Sequence, residues 1–207
     1  RYYPGQRLKV YLLRVEQTAR GPQVVVRRAH PRVVESLFEL EVPEIETGTV
    51  VIMGVSREAG VRSKVAVKSN SDSVDPVGTF VGGRGARVQA VMGELGEEKI
   101  DIILYSDNPE TYIINALSPT KVINVELNKN ERKAIVKVPE DQLSLAIGKQ
   151  GQNVRLAAKL TGWNIDIVSA DESRVEATAD AATEEDVAKT NSKSARVDLE
   201  GSLIAAV

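Results

Sequence analysis

Two glycine-rich segments contain the residues whose types and spacing are best suited to binding chemistry. FVGGRGARVQAV at residues 80–91 and AIGKQGQNVRLAA at residues 146–158 each contain a Gly-x-x-Gly motif with a basic residue inside it. We call residues 82–85 the first corner and residues 148–151 the second corner. Glycine lets the backbone turn sharply and approach a ligand, and a helix that begins there directs free N–H groups toward an anion. The pattern therefore predicts two corners that bind phosphate groups.

The predicted site combines the backbone amides of the corners with nearby basic and aliphatic side chains. The amides would contact phosphates, and the basic side chains would add positive charge. The predicted binding residues are Gly82, Gly83, Arg84, Gly85 and Arg87 at the first corner, and Gly148, Lys149, Gln150, Gly151 and Arg155 at the second. An aliphatic groove beside each corner would hold unstacked bases. Its candidates are Val81, Val88 and Ile102 in one copy, and Ile147, Val154 and Ile167 in the other.

The two corners belong to a longer internal repeat. Five pairs of residues share one spacing of 66 positions: Asp75 with Asp141, Gly82 with Gly148, Gly85 with Gly151, Val88 with Val154, and Gly96 with Gly162. The segment Ile100-Asp101-Ile102 matches Ile165-Asp166-Ile167 after one deletion. A unit of this length exceeds most solenoid repeats, and it suits a small domain that is present twice.

The elements around the corners predict an α+β fold. Each repeat has the pattern helix, strand, strand, helix, corner, helix, strand. Asp75 and Asp141 stand where an N-cap is expected, and Gly96 and Gly162 stand where a helix should end. We therefore predict one domain over residues 31–106 and a second over residues 107–169.

Two further segments flank the repeat. Leu8–Val15 and Gln23–Arg28 are strand-like and are separated by a turn cluster at residues 18–22. Because two strands alone are marginally stable, residues 1–30 are expected to belong to a larger sheet. Residues 170–207 are rich in Ala, Asp, Glu, Ser and Thr. This composition predicts an acidic flexible tail, in which VDLEGSLIAAV is a candidate for the start of another element.

Charge and composition restrict the classes of function. Residues 1–70 carry a net charge of +5, residues 71–170 one of -2, and residues 171–207 one of -5. A basic N-terminal part and an acidic C-terminal part allow a polyanionic partner at one end of the chain, although solvated charged faces explain this charge distribution equally well.

The chain has no cysteine, which excludes disulfides and thiolate metal sites. No apolar run is long enough to span a membrane. The start, RYYPGQRLKV, lacks an initiating methionine and a signal peptide, so we expect a piece of a longer protein.

The repeated corner resembles a known RNA-binding domain. A Gly-x-x-Gly loop between two helices is the signature of the KH domain, and the element order resembles its type II form. DPVGTFVGGRGARVQAVMGELGEEKIDII and DQLSLAIGKQGQNVRLAAKLTGWNIDI are similar to the tandem KH domains of the NusA family of bacterial transcription termination/antitermination proteins. HPRVVESLFELEVPEIETGTVVI resembles the start of the first of these domains. RYYPGQRLKVYLLRVEQTARGPQVVVRRAHP resembles the end of the S1-type OB barrel before it.

The resemblance covers roughly residues 1–169 and implies a function. It implies an RNA-binding elongation factor that acts with RNA polymerase and other elongation factors on nascent transcripts in the cytoplasm. The expected architecture is two type II KH domains after a truncated S1-type barrel. The expected partner is single-stranded RNA, held continuously by both corners, and the expected state is a monomer without a cofactor. The polymerase-binding domain and the early barrel strands of the family have no counterpart in this sequence.

Two other classes of function share parts of this sequence pattern. The first is an enzyme, but the glycines at residues 78–85 lack the Gly-Lys-Ser/Thr ending of a P-loop, and a helix rather than a strand precedes them. His30 has no partner pattern for catalysis and is expected at a helix entry. Asp101 and Asp166 alternate with isoleucines on strands, which indicates a structural or solvent-facing position.

The second class is a KH component of a ribosomal or RNA-degradation complex, which shares the corner chemistry.

Overall fold

The computed structural model describes residues 3–170, 195–197 and 203–204. The chain divides into two compact units, Arg1–Ile102 and Ile103–Val207. The α+β class and the repeated element order agree with the sequence-based prediction. No helix within the described ranges is both long and apolar enough to cross a membrane.

A β-hairpin opens the first unit. Strand β1 spans Tyr11–Thr18 and pairs antiparallel with β2, Gly21–Arg27. The predicted hairpin is confirmed, but its turn is shorter than expected, because Thr18 already pairs with Gly21. The Thr18 hydroxyl donates to the carbonyl of Gly21 at 2.8 Å and closes the turn. The hairpin forms a two-stranded sheet of its own.

The rest of the first unit packs four helices on a three-stranded sheet. The elements are α1 Arg32–Glu41, α2 Pro43–Glu46, β3 Val50–Glu58, β4 Arg62–Ser69, α3 Pro76–Val81, α4 Ala86–Glu94 and β5 Lys99–Leu104. The sheet order is β3-β4-β5. Helix α1 buries Val33, Val34, Leu37 and Phe38, which recur at helical spacing. Phe38 and Phe80 meet at 5.3 Å between ring centroids, so the helix that leads to the first corner is anchored in this core.

The second unit repeats the arrangement. The elements are α5 Pro109–Ala116, β6 Asn124–Asn128, β7 Lys133–Val138, α6 Glu140–Ile147, α7 Gln152–Thr161 and β8 Asn164–Ser169. Strands β6 and β7 are antiparallel, whereas β7 and β8 are parallel. Asn108 caps α5, since its side chain accepts from the amide of Glu110 at 2.9 Å. Every second residue of β7 is buried, so this strand presents one face to the core.

Two short strands extend the sheet of the second unit. Strand β9, Ala195–Val197, pairs antiparallel with β8, and β10, Leu203–Ile204, pairs with β9. Most of the predicted acidic tail, residues 170–207, lies outside the described residues. Val197, Leu203 and Ile204 fall in VDLEGSLIAAV, where the sequence indicated a further element.

One predicted helix cap is wrong. Asp75 caps α3 as expected, because its side chain accepts from the amide of Val77 at 3.1 Å. Its partner in the repeat, Asp141, lies inside the first turn of α6, whose N-cap is Pro139 without a side-chain bond. Helix α6 begins earlier in the repeat than α3, so Asp141 is an acidic first-turn residue rather than a cap.

Candidate nucleic-acid interface

The two corners have the same backbone conformation. Gly82, Arg84 and Gly85 have φ/ψ of 76/168°, 54/25° and 78/14°. The residues 66 positions later have 76/172°, 53/32° and 71/15°. In both corners the amide of the second motif glycine donates to the carbonyl of the first, at 3.0 and 3.1 Å. The repeated sequence motif is therefore a repeated three-dimensional structure.

The first glycine of each corner has no room for a side chain. A Cβ at Gly148 would lie 2.8 Å from the backbone nitrogen of Asn153 and 2.9 Å from its Cβ. A Cβ at Gly82 would lie 2.8 Å from Cγ of Arg87. The φ/ψ region of both glycines is also essentially restricted to glycine. The corner glycines are thus required by close packing against the residue five positions later.

Each corner exposes its two central residues beside the start of a helix. Gly83 and Arg84 are exposed at the first corner, and Lys149 and Gln150 at the second. Helices α4 and α7 begin directly after the corners, and no side chain within the described structure caps them. The amides of Ala86 and Gln152 donate to the carbonyls of Gly83 and Lys149, so each helix start offers an anion the positive end of its dipole.

The basic residue occupies different positions in the two corners. Arg84 takes the left-handed position, where the second corner has Gln150. Lys149 stands one position earlier, where the first corner has Gly83. Both corners are cationic, but the charge is presented from different points of the turn.

Arg87 is held in an ion pair at the base of the first corner. Its guanidinium contacts both carboxylate oxygens of Glu44 at 3.1–3.2 Å and donates to the carbonyl of Thr79 at 2.8 Å. The side chain therefore ties α4 to α2 and α3, and Glu44 offsets its charge. Among the residues predicted to bind, Arg87 is thus placed as a support of the corner.

Asn153 has the same supporting place at the second corner, and the sequence prediction missed it. It lies 66 positions after Arg87 and donates to the carbonyl of Leu145, the counterpart of Thr79, at 3.4 Å. It also donates to the carbonyls of Leu117 at 3.2 Å and Ala146 at 3.1 Å. The repeat spacing was the signal that could have identified it.

The ion pair predicts a pH dependence that is specific to the first corner. Glu44 accepts a hydrogen bond from its own backbone amide, and this bond together with those from Arg87 lowers the pKa of Glu44 below its ordinary value. A carboxylate with a lowered pKa stabilises the folded state above its ordinary pKa and loses this effect as the pH falls through the folded pKa. We therefore expect acid to loosen the first corner, measured by NMR as shifts of the Gly82 and Gly83 amides that follow the titration of Glu44.

The second corner is the internal control, because Asn153 supports it without a carboxylate. The amide of Gly148 should shift less over the same pH range, and a Glu44→Gln variant should remove the response of Gly82. Equal shifts at both corners would contradict the assignment of Glu44.

Arg155 lies against the second corner. Its Nη1 donates to the carbonyl of Gln150 at 3.1 Å. This contact keeps the guanidinium next to the exposed central residues, so its position fits the predicted contribution of charge there.

The structure agrees with the predicted base groove only in part. Val81, Val88, Ile102 and Ile147 are half-buried. Val154 and Ile167 are fully buried and belong to the core, so the prediction that they line a groove is wrong. For Ile167 the physical reason is strand position, because β8 lies between β7 and β9 whereas β5, which holds Ile102, is an edge strand; Val154 is buried on α7. An aliphatic surface beside a corner is therefore present chiefly in the first unit.

The repeated aspartates and His30 have structural roles. Asp101 accepts from Arg62 at 2.8 Å and from Lys64 at 3.1 Å, and Asp166 pairs with Lys133 at 3.2 Å. His30 stands just before α1, where its ring nitrogen accepts from the amide of Arg32 at 3.1 Å. These placements confirm the structural readings of the three residues. The described residues contain no group of three or more His, Asp or Glu that could hold a metal ion.

Comparison with known sequences matches both halves of this architecture. The family model for the NusA-like first KH domain matches residues 28–105. The family model for the NusA-like second KH domain matches residues 109–175. The transcription termination/antitermination protein NusA of Bacillus subtilis is 55% identical over 173 residues, which are 84% of this chain and 47% of the relative. NusA of Thermus thermophilus is 50% identical over 200 residues, which are 97% of this chain and 51% of the relative.

A third relative, NusA of Mycobacterium tuberculosis, is 53% identical over 167 residues, or 80% of this chain and 48% of the relative. The chain thus spans about half the length of the relatives that it matches. With both KH domains matched in order and with identities of 50% or more, the chain belongs to the NusA family of transcription termination/antitermination proteins.

Proposed function

We propose that this chain is the RNA-binding part of a transcription elongation factor that acts in termination and antitermination. It holds single-stranded nascent RNA at the two corners. The observation that carries the proposal is the shared backbone geometry of two exposed, cationic corners, each at the start of a helix, in a chain of the NusA family. KH domains use such a loop to clamp about four nucleotides by their backbone.

The phosphates are held by amides and by positive charge. At the first corner the amides of Gly83 and Arg84 and the guanidinium of Arg84 contact the RNA backbone, while the amide of Gly85 keeps its bond to the carbonyl of Gly82. At the second corner Lys149 and Arg155 supply charge beside the amides of Lys149 and Gln150, while Gly151 is buried and its amide keeps its bond to the carbonyl of Gly148. Arg87 contributes by keeping the first corner in shape, since its charge is offset by Glu44. The contacts are charge-assisted hydrogen bonds, which are stronger than neutral ones.

The bases are read mainly in the first unit. Val81, Val88 and Ile102 are half-buried there and leave aliphatic surface beside the corner. Their counterparts Val154 and Ile167 are fully buried. We therefore assign base contacts to the first KH domain and a predominantly phosphate-binding role to the second.

We propose further that the two KH domains are of type II and that the hairpin is the end of an S1-type barrel. The first point is supported by the element order and by the parallel pairing of β7 with β8. The second is supported by apolar side chains that the hairpin and the residue before it expose: Val10, Leu12, Val15, Val24 and Val26. A two-stranded sheet with apolar residues exposed in this way is suited to pairing with further strands.

We propose the remaining parts of the function on the basis of family membership. RNA polymerase and other elongation factors are the proposed protein partners, the chain acts as a monomer in the cytoplasm, and its role is binding without catalysis. The support is that the relatives are named transcription termination/antitermination proteins.

The test is a fluorescence anisotropy titration of a labelled single-stranded RNA of about 12 nucleotides, long enough for two KH sites. We expect saturable binding whose affinity falls as salt rises, because phosphate contacts release counterions. A blunt RNA duplex of the same length is the control and should bind at least about tenfold more weakly, since KH domains take unpaired bases. Equal affinity for both RNAs, or a salt slope near zero, would contradict the proposal.

A further inference from the structure

The repeat is broken at one point, directly after the second helix of the KH domain. The spacing between counterparts is 66 residues at Gly96 and Gly162, and 65 at Ile100 and Ile165. The amide of Lys99 donates to the carbonyl of Val61, as that of Asn164 donates to Arg132. Lys99 and Asn164 are therefore counterparts, and the first unit has one additional residue before them.

The additional residue changes the chemistry of the position that follows. Glu97 takes a left-handed conformation with φ of 67°. Counting back from the paired strands, Glu98 then stands where the second unit has Trp163. Trp163 is buried and lies 5.8 Å from the guanidinium carbon of Arg132. The same place thus holds a tryptophan in one copy and a buried carboxylate in the other.

Glu98 is bound by four hydrogen bonds. Its carboxylate accepts from Nε and Nη2 of Arg57 at 2.9 and 3.0 Å. It also accepts from the hydroxyl of Ser63 at 2.6 Å and from the amide of Gly60 at 2.8 Å. The side chains of Arg57 and Glu98 are 3% and 0% exposed. Burial would raise the pKa of Glu98, but these hydrogen bonds outweigh it and lower the pKa, so the group is an anion at neutral pH.

Arg57 connects this carboxylate to the chain that leaves the hairpin. Its Nη1 donates to the carbonyl of Arg28 at 2.6 Å and to that of His30 at 2.8 Å. These residues lie between β2 and α1. The side chain of Arg28 in turn donates to the carbonyls of Lys9 at 2.8 Å and Glu94 at 2.9 Å. One buried ion pair therefore fixes the segment by which the hairpin is attached.

Both packing and polar contacts attach the hairpin. A cavity of about 410 Å³ lies between the leading segment and the KH part, and its lining includes Gln6, Leu8, Arg28, Arg57 and Glu98. The ion pair of Lys9 with Glu94, at 3.8 Å, is solvent-exposed and contributes little. Tyr11 of β1 packs against the core of the KH part and stacks on His30 at 4.7 Å, and the polar contacts hold the segment on the side where the space is incompletely filled.

We infer that Arg57 and Glu98 are positioning residues that fix the hairpin on the first KH domain, so that one RNA strand follows both. The RNA part of this inference rests on the proposed function. The hairpin region suits a polyanion, because residues 3–30 contain one acidic residue and six basic ones. Arg7, Arg20 and Arg27 are exposed, whereas Lys9 pairs with Glu94, Arg14 with Glu16, and Arg28 is bound to backbone carbonyls. A fixed hairpin raises the effective concentration of this second basic surface for RNA that is already bound at the first corner.

The first experiment measures the attachment without RNA. The chain has no cysteine, so Arg20→Cys at the hairpin turn and Glu39→Cys on α1 provide two unique exposed positions for spin labels. Pulsed electron paramagnetic resonance should give one narrow distance distribution in the otherwise unchanged chain. Arg57→Lys keeps the charge but loses the forked geometry, and we expect it to broaden the distribution, as should Glu98→Gln. Lys9→Gln, which removes only the exposed pair, is the control and should leave it narrow.

A double variant tests the inference even if the single variants fail to fold. Arg57→Met with Glu98→Leu removes both charges together and leaves no unpaired buried charge, so the fold should persist. A folded double variant with an unchanged narrow distribution would overturn the inference. A broadened distribution with an unchanged circular dichroism spectrum would support it.

The second experiment separates positioning from binding at the corner. Single-stranded RNAs of about 6 and about 16 nucleotides are titrated against the same variants, the shorter being suited to one KH site. We expect an unchanged Kd for the short RNA and at least about tenfold weaker binding of the long one. Equal weakening of both would show a merely structural role. If the unchanged chain binds neither RNA, the proposed function and the RNA part of the inference fail, while the distance measurement still decides the attachment.

Discussion

A variant with Gly83→Asp, Arg84→Asp, Lys149→Asp and Gln150→Asp is expected to bind single-stranded RNA about a thousandfold more weakly than the unchanged chain. Hydrogen bonds to charged groups contribute roughly 2 kcal/mol each, and losing one such contact at each corner costs about 30-fold per corner. Repulsion between the new carboxylates and the phosphates adds to this loss. The measurement is the anisotropy titration with the RNA of about 12 nucleotides.

The variant should fold, because the four positions tolerate aspartate. All four residues are exposed, and a Cβ at Gly83 meets no atom within 4 Å. Arg84 and Gln150 have left-handed backbones, and aspartate adopts this region more readily than most residues. A circular dichroism spectrum and a thermal midpoint close to those of the unchanged chain would confirm that only binding is affected.

Three pair variants with the same change of charge isolate the two corners. Gly83→Asp with Arg84→Asp, Lys149→Asp with Gln150→Asp, and Lys129→Asp with Asn130→Asp each remove one basic residue and add two acidic ones. Lys129 and Asn130 are exposed in the turn between β6 and β7, remote in sequence from either corner. The third pair should change affinity by less than about threefold, as expected for screened surface charge. If it weakens binding as much as the other two, net charge rather than corner chemistry governs affinity.

The corners could be predicted from sequence because their determinants are local. Gly82, Gly85 and the residues 66 positions later fix the turn through backbone conformations that few other residues adopt. The order of helices and strands followed from periodicity for the same reason. The repeat then supplied a second, independent copy of the pattern, which a single motif would have lacked.

The misplaced predictions depend on partners that are distant in sequence. Arg87 meets Glu44 across 43 residues, so its basic character alone indicated a ligand contact where the structure has an ion pair. Ile167 is buried on β8, an interior strand, and Val154 is buried on α7; their own spacing in the sequence does not reveal this packing. In these cases the residue type correctly indicated a charged or an apolar contact. The partner in that contact is set by the packing of elements that are far apart in the sequence.

Replacing the first glycine of the second corner is expected to have the largest effect on stability. Gly148→Ala should lower the free energy of unfolding of the second unit by about 3 kcal/mol, combining a conformation that costs up to roughly 3 kcal/mol for other residues with a steric clash. The clash is with the backbone nitrogen of Asn153, at 2.8 Å, which cannot move without breaking α7. Trp163 is the single tryptophan and is buried in this unit, so its fluorescence reports the unfolding directly.

The matching change at the first corner should be milder, because its new Cβ meets a flexible side chain. Gly82→Ala would contact Cγ of Arg87 at 2.8 Å, and that side chain can shift at the expense of its bonds to Glu44. We expect a loss of about 2 kcal/mol, seen by residue-resolved amide hydrogen exchange in the first unit. Gly83→Ala, whose φ is not positive and whose Cβ meets nothing, is the control and should change stability by less than about 0.5 kcal/mol. A backbone atom in the way of a new Cβ can move less than a side-chain atom can. Equal losses in the free energy of unfolding for Gly148→Ala and Gly82→Ala would therefore show that backbone conformation alone, and not the contact with Asn153, requires glycine.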